Sequence, residues 1–357
     1  HMEHYGRHGS RWFSHPIKYE KAMAQLAKAH KANKLTDEGI KLLNTIRFIA
    51  DTTSLRVGDL TPLGHRQHRG IARRMVTNFP EIFRPGAYVN GVSTIIVRCI
   101  MSMNNELQQI ESMVPDINMT FDASKSTWSL LNSTITDSVS MAIFSNASKT
   151  TLQDFGRTYC SDISYFTSRT FNDPQWAMDS LDMRNLAIDI AKIVISAPNY
   201  DNLYDISDAM SVDELRREDG YRRVYWYLKS GNAPQTFGRM PYANRHLLAN
   251  IIQSADTAIT STNPGANMRF GHDTVLMPLL VLMEIDGAHL NSTSDLTHIA
   301  RTWDAGHYLP MACNLQLVFY RPTGGKKGDI LLKALLNEHE VTLPGKPKSF
   351  PYYRWSD

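Results

Sequence analysis

The chain has 357 residues, of which 42% are hydrophobic and 20% charged. This is ordinary globular composition, sufficient for a large core in two domains. A formal net charge of +3 is too weak to indicate a nucleic-acid partner. The longest strongly apolar run, 275–285, contains Pro278 and Glu284 and is far too short to span a bilayer. Cys99, Cys160 and Cys313 are odd in number and widely spaced. They form no disulfide framework or zinc motif, though one bridge stays open. No secretory leader is legible, and the chain opens directly on its expected first strand, as it would once a leader had been removed. Asn-x-Ser/Thr sequons at Asn118, Asn132, Asn146 and Asn291 matter only in a eukaryotic secretory pathway.

Taken in order, 1–6 is expected to be a short strand running into Arg7-His8-Gly9-Ser10-Arg11. An Ala- and Lys-rich helix follows over 18–32. Thr36 is a helix cap ahead of Asp37 and Glu38, and Ile40, Leu43, Ile46 and Ala50 mark that helix's apolar stripe. Thr61 caps a third helix with Pro62 at its first position; it carries Gln67, Arg69, Arg73 and Arg74 and ends near Asn78. His65 and His68, three apart on this helix, are read as a solvated face, because no third metal ligand lies in sequence reach. The end of 88–97 reads as a buried strand that finishes at Arg98, with a helix over 99–113. From 114 to 260 strand signals are few and helical stretches recur, notably 186–195, 216–229 and 245–260. Asn267 to Gly271 then leads into His272-Asp273 and a helix from Thr274, with Pro278 tolerated early in it. A strand over 312–320 and a hairpin of 327–336 with 340–343 close the sheet edge. The expected fold is α/β, a mixed, mostly parallel sheet flanked by helices, with 1–113 and 261–357 as catalytic core and 114–260 as an inserted, mostly helical cap.

The chemistry gathers at strand ends. Arginine offers a planar, permanently charged fork that matches phosphate oxygens, and histidine serves as nucleophile or proton carrier near neutral pH. A phosphomonoesterase without a metal needs a nucleophile, cations for the non-bridging oxygens and an acid for the departing alkoxide. His8 is the candidate nucleophile, with Arg7 and Arg11 as the nearest clamps. Arg98 is a third clamp, and His272 and Asp273 supply a further donor and the acid. In an open α/β sheet such strand ends lie along one ligand-binding edge, and the helix from Thr274 adds its N-terminal dipole.

These segments resemble the histidine acid phosphatase family, in its helical-cap clade. They are most similar to the multiple inositol polyphosphate phosphatase, or histidine phytase, group. The RHGxR signature at 7–11, Leu60-Thr61-Pro62-Leu63-Gly64 with Gln67, and Ser93-Thr94 with Arg98 and Ser102 carry the match. So do Gly271-His272-Asp273-Thr274, the stretch from Tyr308 to Leu315, and Asn337-Glu338. The resemblance covers the core and is weak across the cap. It implies a phosphohistidine mechanism with His8 as nucleophile and Asp273 as proton donor. It also implies phosphate binding by Arg7, Arg11, Arg98 and His272, no cofactor or metal, and export to the periplasm or outside the cell. Two departures stand out. Phe13 occupies a position where the family commonly has proline, and His272-Asp273 replaces the His-Ala-Glu of the animal enzymes.

The expected substrate is an inositol polyphosphate such as phytate, a small molecule. Sugar phosphates or simple monoesters are the alternative, and a phospholigand-binding protein without turnover is the alternative of another class. Thr274, Arg184 and Arg239 are candidate substrate contacts; with Arg222, Arg223 and Arg245 the arginines could meet distal phosphates, one or two of them in the pocket. The aromatic run 221–227 is expected to pack within the cap.

Overall fold

A computed structural model describes residues 1–131, 142–143, 145, 149–201, 203–261, 265–322 and 329–357. Strand β1 (Met2–Arg7) is buried along its whole length. The other strands are β2 (Tyr88–Ser93), β3 (Asn118–Asp122), β4 (Gly265–Gly271), β5 (Asn314–Tyr320), β6 (Leu331–Leu336), β7 (His339–Glu340) and β8 (Tyr353–Arg354). Their order across one sheet is β3-β2-β4-β1-β5-β6-β7, with β8 also paired to β6. β1 to β4 are mutually parallel, whereas β5 runs antiparallel to β1, and β6 to β5. The fold is thus the expected mixed α/β sheet flanked by helices, and the closing hairpin forms from β6 and β7. Lys327, placed in that hairpin from sequence, lies outside the described residues, as do the sequons at Asn132 and Asn146.

The registers align the functional ends. Arg7 pairs with Gly271 and Gly6 with Asn314, while Ser93 pairs with Phe270. β1, β2 and β4 therefore finish at one edge, and their following residues emerge together. β1 lies between two helical layers and has no solvent face, so its sequence shows no alternation. Its buried Glu3 is matched by Arg269 of β4.

The helix caps form as the sequence indicates. Thr36 Oγ1 accepts the Gly39 N–H at 3.0 Å and Thr61 Oγ1 accepts the Gly64 N–H at 3.2 Å. They open helices Asp37–Thr53 and Pro62–Asn78. Helix Val212–Ser230 starts with a reciprocal capping box between Ser211 and Glu214.

Several expectations are corrected. β2 ends at Ser93, where Thr94 N–H turns to the Phe270 carbonyl. Ile95 and Val97, read as buried strand, are exposed, and Arg98 sits in the first turn of helix Val97–Met113. Residues 118–122, assigned to the cap, are β3 and pair with β2. Helix Arg245–Thr260, also assigned there, reaches the sheet through Ser254, whose Oγ accepts from Arg269 Nη2 at 2.8 Å. Helices Ile17–Lys31 and Asp37–Thr53, assigned to the core, share one apolar cluster with Phe166, Leu186, Ile190 and Ile206. Helix Asp273–Leu282 begins one residue early, so Pro278 falls in its second turn and removes an internal hydrogen bond. The apolar burial of Val275 to Val281 offsets that loss. Cys99, Cys160 and Cys313 are all free thiols, each buried.

His68 is not on a solvated face. It is wholly buried, and its Nδ1 lies 2.6 Å from Glu106 Oε1. His4, also wholly buried, faces the other oxygen of Glu106 at 3.9 Å. Glu106, in helix Val97–Met113, thereby joins that helix to Pro62–Asn78 beside β1 at a point with no water access. His65 Nδ1 is taken by Asn105 at 2.7 Å, so the two histidines do not converge. Removing one partner of such a buried pair strands the other. Glu106→Ala should lower unfolding free energy by about 3–5 kcal/mol, read from denaturant titration; a loss under 1 kcal/mol would show the pair to be dispensable.

Candidate active site

The sheet edge assembles residues from three separated stretches. His8 N–H donates to the Gly271 carbonyl at 3.1 Å, and the His8 carbonyl accepts from Ala312 N–H at 3.1 Å. Both backbone groups of His8 are therefore tied to neighbouring strand ends. The next peptides are held by side chains: Gly9 N–H donates to Ser102 Oγ at 3.2 Å and Ser10 N–H to Gln67 Oε1 at 2.8 Å. Thr61 Oγ1 donates to the Ser10 carbonyl at 3.0 Å. Gly64 is needed here because a Cβ would meet the Ser10 carbonyl oxygen at 2.2 Å.

His8 is buried, at 2% exposure. Its Nδ1 lies 2.9 Å from the Gly9 carbonyl oxygen. A carbonyl only accepts, so Nδ1 carries the proton and Nε2 keeps its lone pair. Burial, then Arg7, Arg98 and Arg11, holds His8 well below the ordinary histidine range. The ring is neutral and oriented, the state that a nucleophile requires.

Around it stand three guanidiniums. Arg7 Nη1 donates to the Leu309 carbonyl at 2.6 Å and the Pro310 carbonyl at 3.1 Å, and Nη2 lies 2.5 Å from Asp273 Oδ2. Arg11 Nη1 donates to the Trp12 carbonyl at 3.2 Å. Arg98 enters from the first turn of its helix. The Nε–H groups of Arg7, Arg11 and Arg98 are buried and have no hydrogen-bond partner among the described residues. Burial, then Arg98 and Arg7, pushes Arg11 down to about 10. Unpaired donors and mutual repulsion together describe a cradle for an anion.

His272 lies across from His8, with ring centroids 5.6 Å apart and nearly edge-on. Tyr5 Oη accepts its backbone N–H at 3.1 Å, and Cys99 Sγ sits 3.7 Å from its Nε2. Burial, then Arg98, pushes its imidazole down to about 4. Asp273 is the first residue of its helix, not its cap; Oδ1 accepts the Thr274 N–H at 2.8 Å. Burial would raise its carboxyl, but Arg7, then His272, Arg11 and Arg222, holds it below the usual carboxylate range.

Beside this centre opens a cleft of about 300 Å³, lined by Arg7, Asp273, Arg222, Arg223, Trp226 and Asn199 among others. Of the candidate cap arginines, Arg222 and Arg223 line it. Arg223 is compensated by Asp219 at 2.7 Å and Asp304 at 3.6 Å, whereas Arg222 has no hydrogen bond or ion pair among the described residues. Arg184 is bound to Glu218, Arg239 is exposed, and Arg245 donates to the Tyr242 carbonyl at 3.0 Å. None of these three lines the cleft. Thr274 stands at the site, its N–H turned to Asp273. Trp226 of the aromatic run faces the cleft, while buried Tyr227 donates its hydroxyl to the Thr293 carbonyl at 3.0 Å. Sequence reasoning passed over Lys192, which lies close enough to Arg222 to feel its charge. It also passed over Cys99, which looked like a mere helix residue.

The neutral histidines link stability to pH. An unfolded histidine titrates near 6.5, whereas folded His272 titrates at about 4 and His8 well below its ordinary value. As pH falls through that window, the unfolded chain binds protons that the folded chain refuses, so stability falls. Denaturant midpoints should drop between pH 7 and pH 4.5, and His272→Gln should show a smaller drop. Equal pH slopes for the two proteins would contradict the assignment.

No protein-family model and no curated protein matches the chain by sequence. Solved structures do match in three dimensions. The multiple inositol polyphosphate phosphatase of Bifidobacterium longum, complexed with inositol hexasulfate, superposes with a TM-score of 0.78 at 16% identity, over 99% of this chain and 89% of that one. The phytase of D. castellii gives 0.63 at 12% identity, over 95% and 73%. A phytase of Klebsiella sp ASR1 gives 0.53 at 11% identity, over 93% and 81%. The chain accordingly has the histidine phosphatase-like fold of the inositol polyphosphate phosphatases and phytases, with His8 at the centre of its sheet edge.

Proposed function

We propose that the protein is a histidine acid phosphatase that hydrolyses phosphomonoesters of inositol polyphosphates through a phosphohistidine. One observation carries the reading: a buried, neutral His8 with Nε2 unprotonated stands among three guanidiniums whose Nε donors are unpaired. The fold shared with an inositol polyphosphate phosphatase and two phytases supports it.

In the proposed first step, His8 Nε2 forms a bond to phosphorus and the P–O ester bond breaks. Asp273 passes its proton to the departing oxygen, giving the alcohol. In the second step a water oxygen attacks phosphorus, the N–P bond breaks, and the Asp273 carboxylate takes the water's proton, releasing inorganic phosphate. Arg7, Arg11, Arg98 and His272 bind the phosphoryl oxygens as charge builds. Because guanidiniums supply the positive charge, the scheme calls for no metal and no cofactor. In the unliganded site Asp273 is held ionised, against its burial, by Arg7 and then by His272, Arg11 and Arg222. A phosphate dianion offsets that charge, so binding raises the carboxyl's affinity for a proton when an acid is required. The helical segments between β3 and helix Arg245–Thr260 are read as a cap over this edge, and the enzyme as periplasmic or secreted.

Arg222 is read as a contact for a second phosphate; it takes the place of Arg184 and Arg239, neither of which lines the cleft. This favours inositol polyphosphates over the alternative of simple sugar phosphates.

His8→Ala should abolish trapping of a labelled phosphoenzyme while keeping the fold. Asp273→Asn should slow the single-turnover formation of phosphoenzyme from phytate about 10²–10⁴-fold yet spare that step with p-nitrophenyl phosphate, whose leaving group needs no proton; equal losses in that step on both would remove Asp273 from the acid role. Arg222→Ala should raise KM about tenfold for phytate and little for p-nitrophenyl phosphate, as expected for one lost charged contact. If phytate and glucose 1-phosphate respond alike, Arg222 does not bind a second phosphate.

A further inference from the structure

Arg11 is followed by Trp12 and Phe13. A proline would stiffen this segment covalently. Here the stiffness comes from packing against the helical part of the molecule. The Trp12 ring lies on the Tyr200 ring with centroids 4.8 Å apart and planes 16° apart. The Phe13 ring meets Tyr19 at 5.2 Å, and Tyr200 meets Tyr204 at 5.5 Å. Tyr19 is 2% and Tyr200 4% exposed, so these contacts are shielded from water. Trp12 N–H is anchored at 2.8 Å to the Asp59 carbonyl.

This packing bears on the phosphate cradle through one hydrogen bond. Arg11 Nη1 donates to the Trp12 carbonyl, so the placement of the Trp12 peptide sets the direction of the guanidinium. Tyr200 also ends a short helical turn, Ala197–Tyr200, whose Pro198 and Asn199 line the cleft beside Arg7 and Arg222. One turn thus touches the leaving-group cleft at one end and the segment behind Arg11 at the other.

We infer that Tyr200, stacked on Trp12, is a positioning residue that orients Arg11 toward the phosphoryl group and couples that orientation to the cleft-lining turn. The inference rests on Arg11 being a phosphate ligand. Geometry errors of about 1 Å at a reacting centre cost up to 10²-fold, so a loosened Arg11 is measurable.

The test uses the full chain and the inhibition constants of inorganic phosphate and orthovanadate against p-nitrophenyl phosphate hydrolysis. An inhibition constant does not depend on the fraction of protein folded, so a purely structural role would leave it unchanged. Tyr200→Phe, which keeps the stack, should match the parent. Tyr200→Ala should raise both constants about tenfold and lower kcat/KM. In an Arg11→Ala background the Tyr200→Ala change should have no further effect, because its route is already cut. Trp12→Leu removes the stack from the other side and should reproduce Tyr200→Ala, which keeps the question decidable if that variant does not fold. Unchanged constants in the folded variant, or full additivity with Arg11→Ala, would overturn the inference. Arg11→Ala alone, if it left phosphate binding intact, would instead refute the cradle on which the inference rests.

Discussion

Three arginines held beside one uncharged histidine set the terms for the whole molecule. Like charges at short range repel, and burial strengthens the repulsion by excluding water. The fold answers with compensation rather than distance. Arg7 is bound to the Leu309 and Pro310 carbonyls and to Asp273, Arg11 to the Trp12 carbonyl, and the three Nε donors are left over. Burial, and after it the same field, keeps His8 and His272 neutral, while the field holds Asp273 charged against its burial. Electrostatic strain of this kind persists only where the surrounding structure over-determines it, and here it coincides with the reactive centre that we propose.

That over-determination comes from the sheet. β4 returns from the far side of the helical region and inserts between β2 and β1. Its end therefore delivers His272 and Asp273 beside His8, and the segment leading into β5 closes the other side with the Leu309 and Pro310 carbonyls that grip Arg7. Behind the loop, Gln67, Ser102 and Thr61 take up its backbone groups, and two helices are locked together through Glu106. Rigid strand ends and tied peptides give the side chains little freedom, the preorganisation that catalysis by positioning demands.

Much of this was legible in the chain. The caps at Thr36 and Thr61 rest on side-chain chemistry confined to four residues, and they appear where expected. The helical insertion was visible as recurring apolar stripes, though not its boundaries: β3 is short and exposed, and five residues of edge strand carry almost no pattern. The β-branched Ile95, Ile96 and Val97 predict a strand that ends at Arg98. They instead lie at a helix start, where context outweighs a weak preference. His68 looked solvated because helical spacing reports which residues share a face, not what that face meets. Arg184 and Arg239 illustrate the same limit. A charge on a cap helix is spent locally if a carboxylate is near, as Glu218 is for Arg184.

The sequence by itself determined the chemistry on offer: a histidine bracketed by arginines, a His-Asp pair ahead of a helix, and the caps that start the helices. These depend on neighbours in the chain, so they survive in one dimension. Only the tertiary structure decided which Nε donors stay unpaired, which arginines of the helical region line the cleft, and what steadies the segment after Arg11. Each is an outcome of competition among groups far apart in sequence, settled by distance and burial once the strands have paired.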